Sequence, residues 1–238
     1  MKKKLMIILT VLIACGIGFF AYLFFNGLSG IRVNPSYQEG QIKVACVGDS
    51  VTYGHSIKNW VKNNYPALLA DMLGDKYNVK NFGVSGSTVQ PDGDQPYVVT
   101  KAYTQSLDYS ADILVFMMGS NDSKPENWKG EEAFLMKYNA LLDSYLQGEK
   151  IPTVYICTPP VAYFPQGVTE GLTNYDIQPE YVQTVNQLVR TVASERGFEI
   201  IDINKLTENH RELFGKDNVH PNNGGAMEIA KVVYEKIK

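Results

Sequence analysis

Short apolar runs alternate with amphipathic segments along most of the chain. Five apolar runs of strand length, each bounded by glycine, proline or polar residues, predict β-strands over residues 42–47, 77–82, 112–118, 153–157 and 198–203. Between and after them, apolar residues at helical spacing predict helices over residues 60–73, 131–146, 179–196 and 223–237. Because buried strands that alternate with helices join through right-handed crossovers, the pattern predicts an α/β fold with a parallel sheet covered on both faces.

The N-terminus has a different pattern. Lysines at positions 2–4 precede residues 5–25, a run of 21 residues without a charge. A helix of that length spans about 30 Å, which is enough for the core of a bilayer. Since the lysines favour the cytoplasmic side, residues 1–25 are predicted to be a single-pass membrane anchor with its N-terminus inside. A linker over 26–41 then leads to one domain over 42–238, outside the cytoplasm at the cell membrane.

Two other interpretations of this segment remain open. Leu12-Ile13-Ala14-Cys15 resembles a bacterial lipobox, in which Cys15 would be lipidated after cleavage. A cleaved signal peptide would instead produce a secreted protein. The apolar run continues past Cys15 to Phe25, which favours the uncleaved anchor. All three interpretations export the domain.

Composition excludes some classes of function. The net charge of −3 gives no basic footprint, so nucleic acid is not an expected partner. Cys46 and Cys157 each lie in an apolar run and are expected to be small buried hydrophobic residues. The chain has no C-x-x-C or H-E-x-x-H pattern, so no metal site and no cofactor are predicted.

Four segments rich in glycine and small polar residues are candidates for chemistry. Three directly follow predicted strands and the fourth precedes the last helix: Gly48-Asp49-Ser50-Val51-Thr52, Gly83 to Thr88, Gly119-Ser120-Asn121-Asp122, and Asp217 to Asn222. In open parallel sheets, ligands bind beyond the carboxyl ends of the strands. Each segment alone could be a turn or a helix cap, but together they supply a hydroxyl, glycine amides, a side-chain amide, a carboxylate and an imidazole. Acyl transfer needs that set of groups.

These segments, in this order, resemble the signatures of the GDSL/SGNH hydrolase family, and the resemblance runs from about residue 42 to 238. Ser50, Gly86, Asn121 and His220 fill the four positions that give the family its name. The resemblance implies a flavodoxin-like three-layer α/β/α sandwich with five parallel strands in the order 2-1-3-4-5. A G-x-S-x-G elbow would instead need glycine where Thr52 stands.

The chemistry of these residues suggests their roles. Ser50 is the expected nucleophile, and His220 is the base that takes its proton. Asp217, three residues earlier, can accept the other ring N–H and orient the imidazole. The resemblance further implies an oxyanion hole formed by the backbone N–H groups of Ser50 and Gly86 and the side-chain amide of Asn121.

Other polar residues near the motifs are expected to have structural roles. Asp49 should hold the nucleophile loop, and Asp122 should form a turn. His55 and His210 match no catalytic signature and are expected at the surface or in packing. Residues 124–128 and 163–164 follow strand ends, where they could either line a cleft or pack elsewhere.

The motifs around Ser50 and His220 resemble most closely a branch of the family rich in carbohydrate O-acetyl esterases. The chain also has no long apolar insertion to cover a lipid tail. Small acyl esters, O-acetyl groups on carbohydrate above all, are therefore the expected substrates. A lysophospholipase or thioesterase, transfer of the acyl group to a sugar hydroxyl, and a glycan-binding domain without turnover remain alternatives.

Overall fold

The fold is organised around one five-stranded parallel sheet. The computed structural model describes residues 2–148 and 150–238. The strands are β1 (Ile42–Gly48), β2 (Tyr77–Asn81), β3 (Ile113–Met117), β4 (Thr153–Cys157) and β5 (Glu199–Ile201). Their order is β2-β1-β3-β4-β5, and each neighbouring pair is parallel. The predicted fold class and strand order are therefore confirmed.

Helices cover both faces of this sheet. Their bounds are α1 (Lys2–Phe25), α2 (Ser50–Tyr53), α3 (Trp60–Asn63), α4 (Tyr65–Leu73), α5 (Lys101–Asp108), α6 (Glu131–Ser144), α7 (Pro179–Arg196), α8 (Ile203–Thr207) and α9 (Asn223–Ile237). Side chains of β3 alternate between the two faces. Phe116 packs in the core beside Phe134 of α6, whereas Val115 packs beside Leu69 of α4 and Ile229 of α9. This alternation produces the three layers.

Two differences between the predicted and the observed elements arise where side chains cap helices. The predicted helix over 60–73 is wrong at Asn64, whose extended backbone separates α3 from α4 and whose side chain accepts from the Ala67 N–H. Proline in the first turn of α4 fits this start. The last strand ends at Ile201, earlier than predicted, because the Asp202 side chain accepts from the Lys205 N–H and caps α8.

Within the described residues, no helix combines the length and apolar character needed to cross a bilayer, so the predicted transmembrane helix is not supported.

The segment after α1, residues 26–41, packs along the outer edge of β2. Asn34 exchanges two hydrogen bonds with the backbone of Asn81 (2.7 and 3.1 Å), and Arg32 donates to the Gly83 carbonyl. Although predicted as a linker, this segment covers an edge strand.

Candidate active site

A short helix presents Ser50 at the carboxyl end of β1. Asp49 caps α2, since its Oδ1 accepts from the Val51 N–H at 2.9 Å. This bond agrees with the expectation that Asp49 holds the loop. Gly83 of the next loop packs directly on α2, where a Cβ would lie 2.1 Å from the Tyr53 nitrogen. Ser50 is thereby held in a nearly buried position at its strand end.

Ser50, His220 and Asp217 form a continuous hydrogen-bonded chain. His220 Nε2 lies 2.9 Å from Ser50 Oγ, and His220 Nδ1 lies 2.9 Å from Asp217 Oδ2. The other carboxylate oxygen of Asp217 accepts from the backbone N–H groups of Val219 (3.0 Å) and His220 (2.9 Å). Asn218, at a φ of +61°, makes the tight turn between them. The fold thus brings the three predicted residues together in one geometry.

The surroundings of Asp217 keep its carboxylate ionised. Burial alone would raise its pKa, but the hydrogen bonds and charge of His220 and the bond from Val219 outweigh burial and lower the pKa to about 2. An ionised Asp217 accepts the Nδ1–H of His220. Nε2 is then the unprotonated nitrogen, which can accept the Ser50 proton.

The predicted oxyanion donors lie on three strand-end loops. Among the described residues, the backbone N–H groups of Ser50 and Gly86 donate to no protein acceptor. Asn121 Nδ2 donates to the Ser87 carbonyl at 3.1 Å, which uses one of its two hydrogens. Ser50 and Asn121 line one recess with His220, whereas Gly86 lies outside that lining. The bond to Ser87 connects the Gly86 loop to the Asn121 loop.

Gly86 has a backbone that favours glycine. Its φ is +83°, and an added Cβ would lie 2.6 Å from the Gln95 side chain. A residue with a side chain would therefore be strained here and would have to displace Gln95. The Gly86 N–H depends on this conformation for its direction.

Asp122 does more than form the turn that was predicted for it. Its buried carboxyl group accepts from the backbone N–H groups of Val89 and Gln90, each at 3.1 Å. These bonds attach the Asn121 loop to the chain that follows Gly86. Burial raises the pKa of Asp122 to about 7, and the nearby carboxyl group of Asp49 acts in the same direction.

A narrow apolar recess lies beside Ser50. Its volume is about 20 Å³, which is room for one or two water-sized groups. The aliphatic side chains in its wall come from α2, from the loop between β4 and α7, from α7 itself and from the histidine loop: Val51, Pro160, Val161, Ala162, Ile177, Val182 and Val219. The group that fits beside Ser50 is therefore small.

Neither of the two segments that could have lined a cleft belongs to this recess. Tyr163 donates to the Thr207 carbonyl and packs on Phe214, so the wall uses the residues just before it. Lys124 forms an ion pair with Asp94, and Trp128 stacks on Tyr181. Asn127, between them, donates to the Asn121 carbonyl. The 124–128 segment thus supports the Asn121 loop.

Two aromatic residues beside His220 were not predicted as part of the site. The His55 ring centroid lies 4.5 Å from that of His220, and the Tyr175 centroid lies 4.9 Å from it. The sequence offered one signal for His55, which directly follows Gly54, the glycine that ends the nucleophile helix. In the structure, the His55 N–H donates to the Ser50 carbonyl. His210, as expected, is exposed, where it pairs with Glu212.

An open groove of about 710 Å³ borders the other side of Asp217. Its lining is mostly polar or small, with an apolar patch, and includes Ser56, Lys58, Phe214, Lys216 and Asn223.

Across residues 2–148 and 150–238, no group of three or more His, Cys, Asp or Glu side chains is placed to hold a metal ion. Cys46 and Cys157 are buried, as predicted, and burial raises the pKa of the Cys46 thiol to about 12.

The chain is similar to several known proteins. The model of the GDSL-like lipase/acylhydrolase family matches residues 46–227. The chain belongs to this family. An acetylxylan esterase of Xylanibacter ruminicola is 33% identical over 222 residues, which cover 86% of this chain and 45% of the relative. A multidomain esterase of Ruminococcus flavefaciens is 27% identical over 235 residues, covering 84% of this chain and 29% of the relative. The family member described here therefore spans less than half the length of these curated relatives.

Solved structures share the fold. A putative arylesterase from Agrobacterium tumefaciens aligns with a TM-score of 0.68 at 20% identity, covering 83% of this chain and 98% of the other. A carbohydrate acetylesterase from Sinorhizobium meliloti aligns with a TM-score of 0.66 at 19% identity, covering the same shares of the two chains. The family prediction and the fold prediction are both confirmed.

Proposed function

We propose that this protein is a serine esterase that hydrolyses small acyl esters, O-acetyl groups on carbohydrate above all. The observation that carries the proposal is the chain of 2.9 Å contacts from Ser50 through His220 to Asp217, placed beside a recess of about 20 Å³. A hydroxyl with a base and an oriented carboxylate is the arrangement that activates serine for acyl transfer.

The reaction begins when Ser50 Oγ attacks the ester carbonyl while His220 Nε2 takes the hydroxyl proton. The negative charge on the tetrahedral oxygen is stabilised by the N–H groups of Ser50 and Gly86 and by the second amide hydrogen of Asn121. The ester C–O bond then breaks, and His220 donates its proton to the departing alcohol oxygen. Asp217 stabilises the imidazolium during both transfers.

The acyl group now on Ser50 is removed by water. His220 takes a proton from the water as its oxygen attacks the acyl carbonyl, and a second tetrahedral intermediate forms in the same oxyanion hole. Collapse of this intermediate releases the carboxylic acid, and the proton returns to Ser50 Oγ. The enzyme ends each cycle in its starting state.

The size of the recess supports a short acyl chain. The methyl group of an acetyl ester fits among Val161, Ile177 and Val182, whereas a longer chain would have to displace buried side chains. Such overpacking typically costs about 1–3 kcal/mol. This argument favours acetate over the long chains of a lysophospholipase or a lipid thioesterase.

Two observations support a carbohydrate as the alcohol part of the ester. The most similar curated relative given above is an acetylxylan esterase. In addition, the groove beside Asp217 offers hydroxyl, amide and ammonium groups, from Ser56, Asn223 and two lysines, around an apolar patch. Sugars present both hydroxyl groups and apolar C–H faces, so a mixed surface of this kind suits them.

A series of p-nitrophenyl esters, from acetate to octanoate, tests the proposal together with the Ser50→Ala variant. We expect wild-type kcat/KM to be highest for acetate, and Ser50→Ala to lose at least about 10³-fold. Ser194→Ala, an exposed serine on α7, is the control and should keep full activity. Equal residual activity in Ser50→Ala would refute the nucleophile, and a maximum at long chains would refute the acyl preference.

Transfer and binding without turnover are tested separately. Labelling of Ser50 by a fluorophosphonate probe is expected for an esterase, and an unlabelled folded protein would favour a glycan-binding domain. Incubation of an acetyl ester with added xylo-oligosaccharide should release free acetate. Acetylated oligosaccharide as the main product would instead identify an acyltransferase.

We also propose that the domain acts outside the cytoplasm. The lysines at 2–4 followed by the uncharged residues 5–25 support export, with a retained segment, lipidation at Cys15 or cleavage as the possible outcomes. Protease treatment of intact spheroplasts should digest the domain if it stays attached to the cell, and a cleaved domain should be found in the culture medium. Cys15→Ser should leave residues 1–14 attached, and so increase the mass of the mature protein, only if the cysteine is normally lipidated and the segment before it removed. Protection until the spheroplasts are lysed would contradict export.

A further inference from the structure

Three aromatic rings cluster at the catalytic base, and one of them, Tyr175, also borders the recess beside Ser50. The ring centroids of His55 and Tyr175 lie 4.5 and 4.9 Å from that of His220 and 6.0 Å from each other. His55 follows the nucleophile helix, and Tyr175 belongs to the loop between β4 and α7. Catalytic transfer uses only His220 of the three, so the other two rings need a different explanation.

Tyr175 is held in a costly position. Its side chain is half exposed (49%), although an aromatic ring is stabilised by burial. Tyr175 and Asp176 both have left-handed backbones, with φ of +65° and +59°, which is uncommon for residues other than glycine. Backbone strain of this kind persists only where the surrounding structure enforces it, and it often marks a functional site.

Specific hydrogen bonds keep this loop in place. Asn174 Nδ2 donates to the Asp217 carbonyl at 2.7 Å, which attaches the loop to the turn that carries the catalytic carboxylate. Thr173 closes the loop, since its N–H and its hydroxyl both donate to the Ile177 carbonyl. The exposed ring of Tyr175 is therefore placed against His220 by bonds on both sides of it.

We propose that Tyr175 is an aromatic platform for the sugar ring that carries the ester and that the His55 ring, set at 87° to it, closes one side of this position, an inference that rests on the proposed carbohydrate esterase function. His220 must donate its proton to the leaving oxygen, so the sugar that bears this oxygen has to lie beside the His220 ring. The half-exposed Tyr175 ring offers an apolar surface there, and the C–H face of a pyranose can pack on it.

His55 is suited to this role because it stays uncharged. Burial lowers the pKa of His55 to about 4, and the neighbouring His220 lowers it further against the opposing effect of Asp217. Near neutral pH, His55 is therefore a flat neutral ring that does not repel the His220 imidazolium. Ser56 and Lys58, which follow it, lead into the groove beside Asp217, where further sugar units can extend.

The test compares two acetyl esters that differ in the alcohol. Glycerol triacetate has no sugar ring, whereas an acetylated xylo-oligosaccharide has one. Tyr175→Ala should lower kcat/KM about 10- to 100-fold on the oligosaccharide, mainly through KM, with less than about threefold change on glycerol triacetate. Tyr175→Phe should keep activity on both substrates because it keeps the ring, and His55→Gln should show a smaller loss with the same selectivity.

Tyr37→Ala is the matched control, since Tyr37 is similarly exposed (42%) and lies against Lys43 at the other end of the strands. It should leave both activities unchanged. An equal loss on both substrates for Tyr175→Ala would show that the ring acts through His220 and would overturn the platform, as would no loss on either. A wild type that hydrolyses glycerol triacetate but not the oligosaccharide would refute the carbohydrate substrate itself, before any variant is compared.

Discussion

Two sides of the site are built in different ways. On the triad side, residues 48–54 and 217–222, hydrogen bonds within each short segment fix the polar atoms: Asp49 caps the nucleophile helix, and Asp217 accepts from two backbone N–H groups of its own turn. The wall of the recess, formed mainly by Val161, Ala162, Ile177 and Val182, consists of apolar side chains from the loop between β4 and α7 and from α7 itself. The difference suggests that the triad side sets the rate and that the wall selects the substrate.

The variant with the largest expected effect on the triad side is Asp217→Asn. An amide that directs its N–H at His220 Nδ1 leaves the proton on Nε2, so His220 cannot accept the Ser50 proton. We expect kcat to fall on the order of 10⁴-fold with little change in KM. The measurement is steady-state hydrolysis of p-nitrophenyl acetate.

Asp143→Asn is the control for that loss. It removes a partly exposed ion pair with Arg196 far from the site and should leave kcat unchanged. A fall in kcat of less than tenfold for Asp217→Asn would show that orientation of His220 by Asp217 contributes little to the rate. The triad side would then not set the rate as proposed.

Asn121→Ala should have the next largest effect. It removes one oxyanion donor, which typically lowers kcat about 10²- to 10³-fold. It also removes the bond to the Ser87 carbonyl, so the Gly86 loop loses a support. Asn139→Ala, whose side chain bonds to Arg196, is the matched control. A higher KM at unchanged kcat would contradict a role in the transition state, because it would mean that Asn121 only binds the ester.

The wall is tested by a pair of valines on the same helix. Val182 and Val189 of α7 are both buried, but only Val182 lines the recess beside Ser50. Val182→Ala enlarges that recess and should shift the ratio of butyrate to acetate hydrolysis about tenfold toward butyrate, in the range expected for one or two methylenes. Val189→Ala should destabilise the protein similarly without changing the ratio. Equal shifts in both variants would mean that the selectivity follows stability and not the recess.

Sequence patterns could place polar residues of the strand-end loops at one edge of the sheet because these residues directly follow predicted strands. Ser50 and Asn121 follow predicted strands, and the parallel order of those strands brings them to one edge. The contacts of His55 and Tyr175 with His220 could not be predicted in the same way. The contact of Tyr175 depends on the hydrogen bond from Asn174 to Asp217, 43 residues apart, in a loop without periodicity, and the contact of His55 depends on where His220 is placed by a turn 165 residues later in the chain. The break at Asn64 was missed for a different reason, since a capping side chain overrides a continuous apolar period.

Asp122 lies behind the triad side and should affect stability more than turnover. Its pKa is about 7 in the folded protein against an ordinary value of 3.8. Between about pH 4 and pH 7 the folded protein retains a proton that the unfolded chain releases. The contribution of Asp122 to the free energy of unfolding is therefore fully present at low pH and is lost as the pH rises through 7.

Asp122→Asn should accordingly flatten the decrease in the free energy of unfolding between pH 4 and pH 7, measured by urea unfolding. Part of the slope should remain, because burial also raises the pKa of Asp49. Asp202→Asn is a control in which the pKa of the carboxyl group is shifted in the opposite direction. Hydrogen bonds from Arg190, Lys205 and Thr158 outweigh burial and lower the pKa of Asp202, so this variant should lose stability above pH 4. If the free energy of unfolding had the same pH profile in wild type and in Asp122→Asn, Asp122 would be ionised in the folded protein. The N–H groups of Val89 and Gln90 would then stabilise its charge, and this charge would join the Asn121 loop to the chain that follows Gly86.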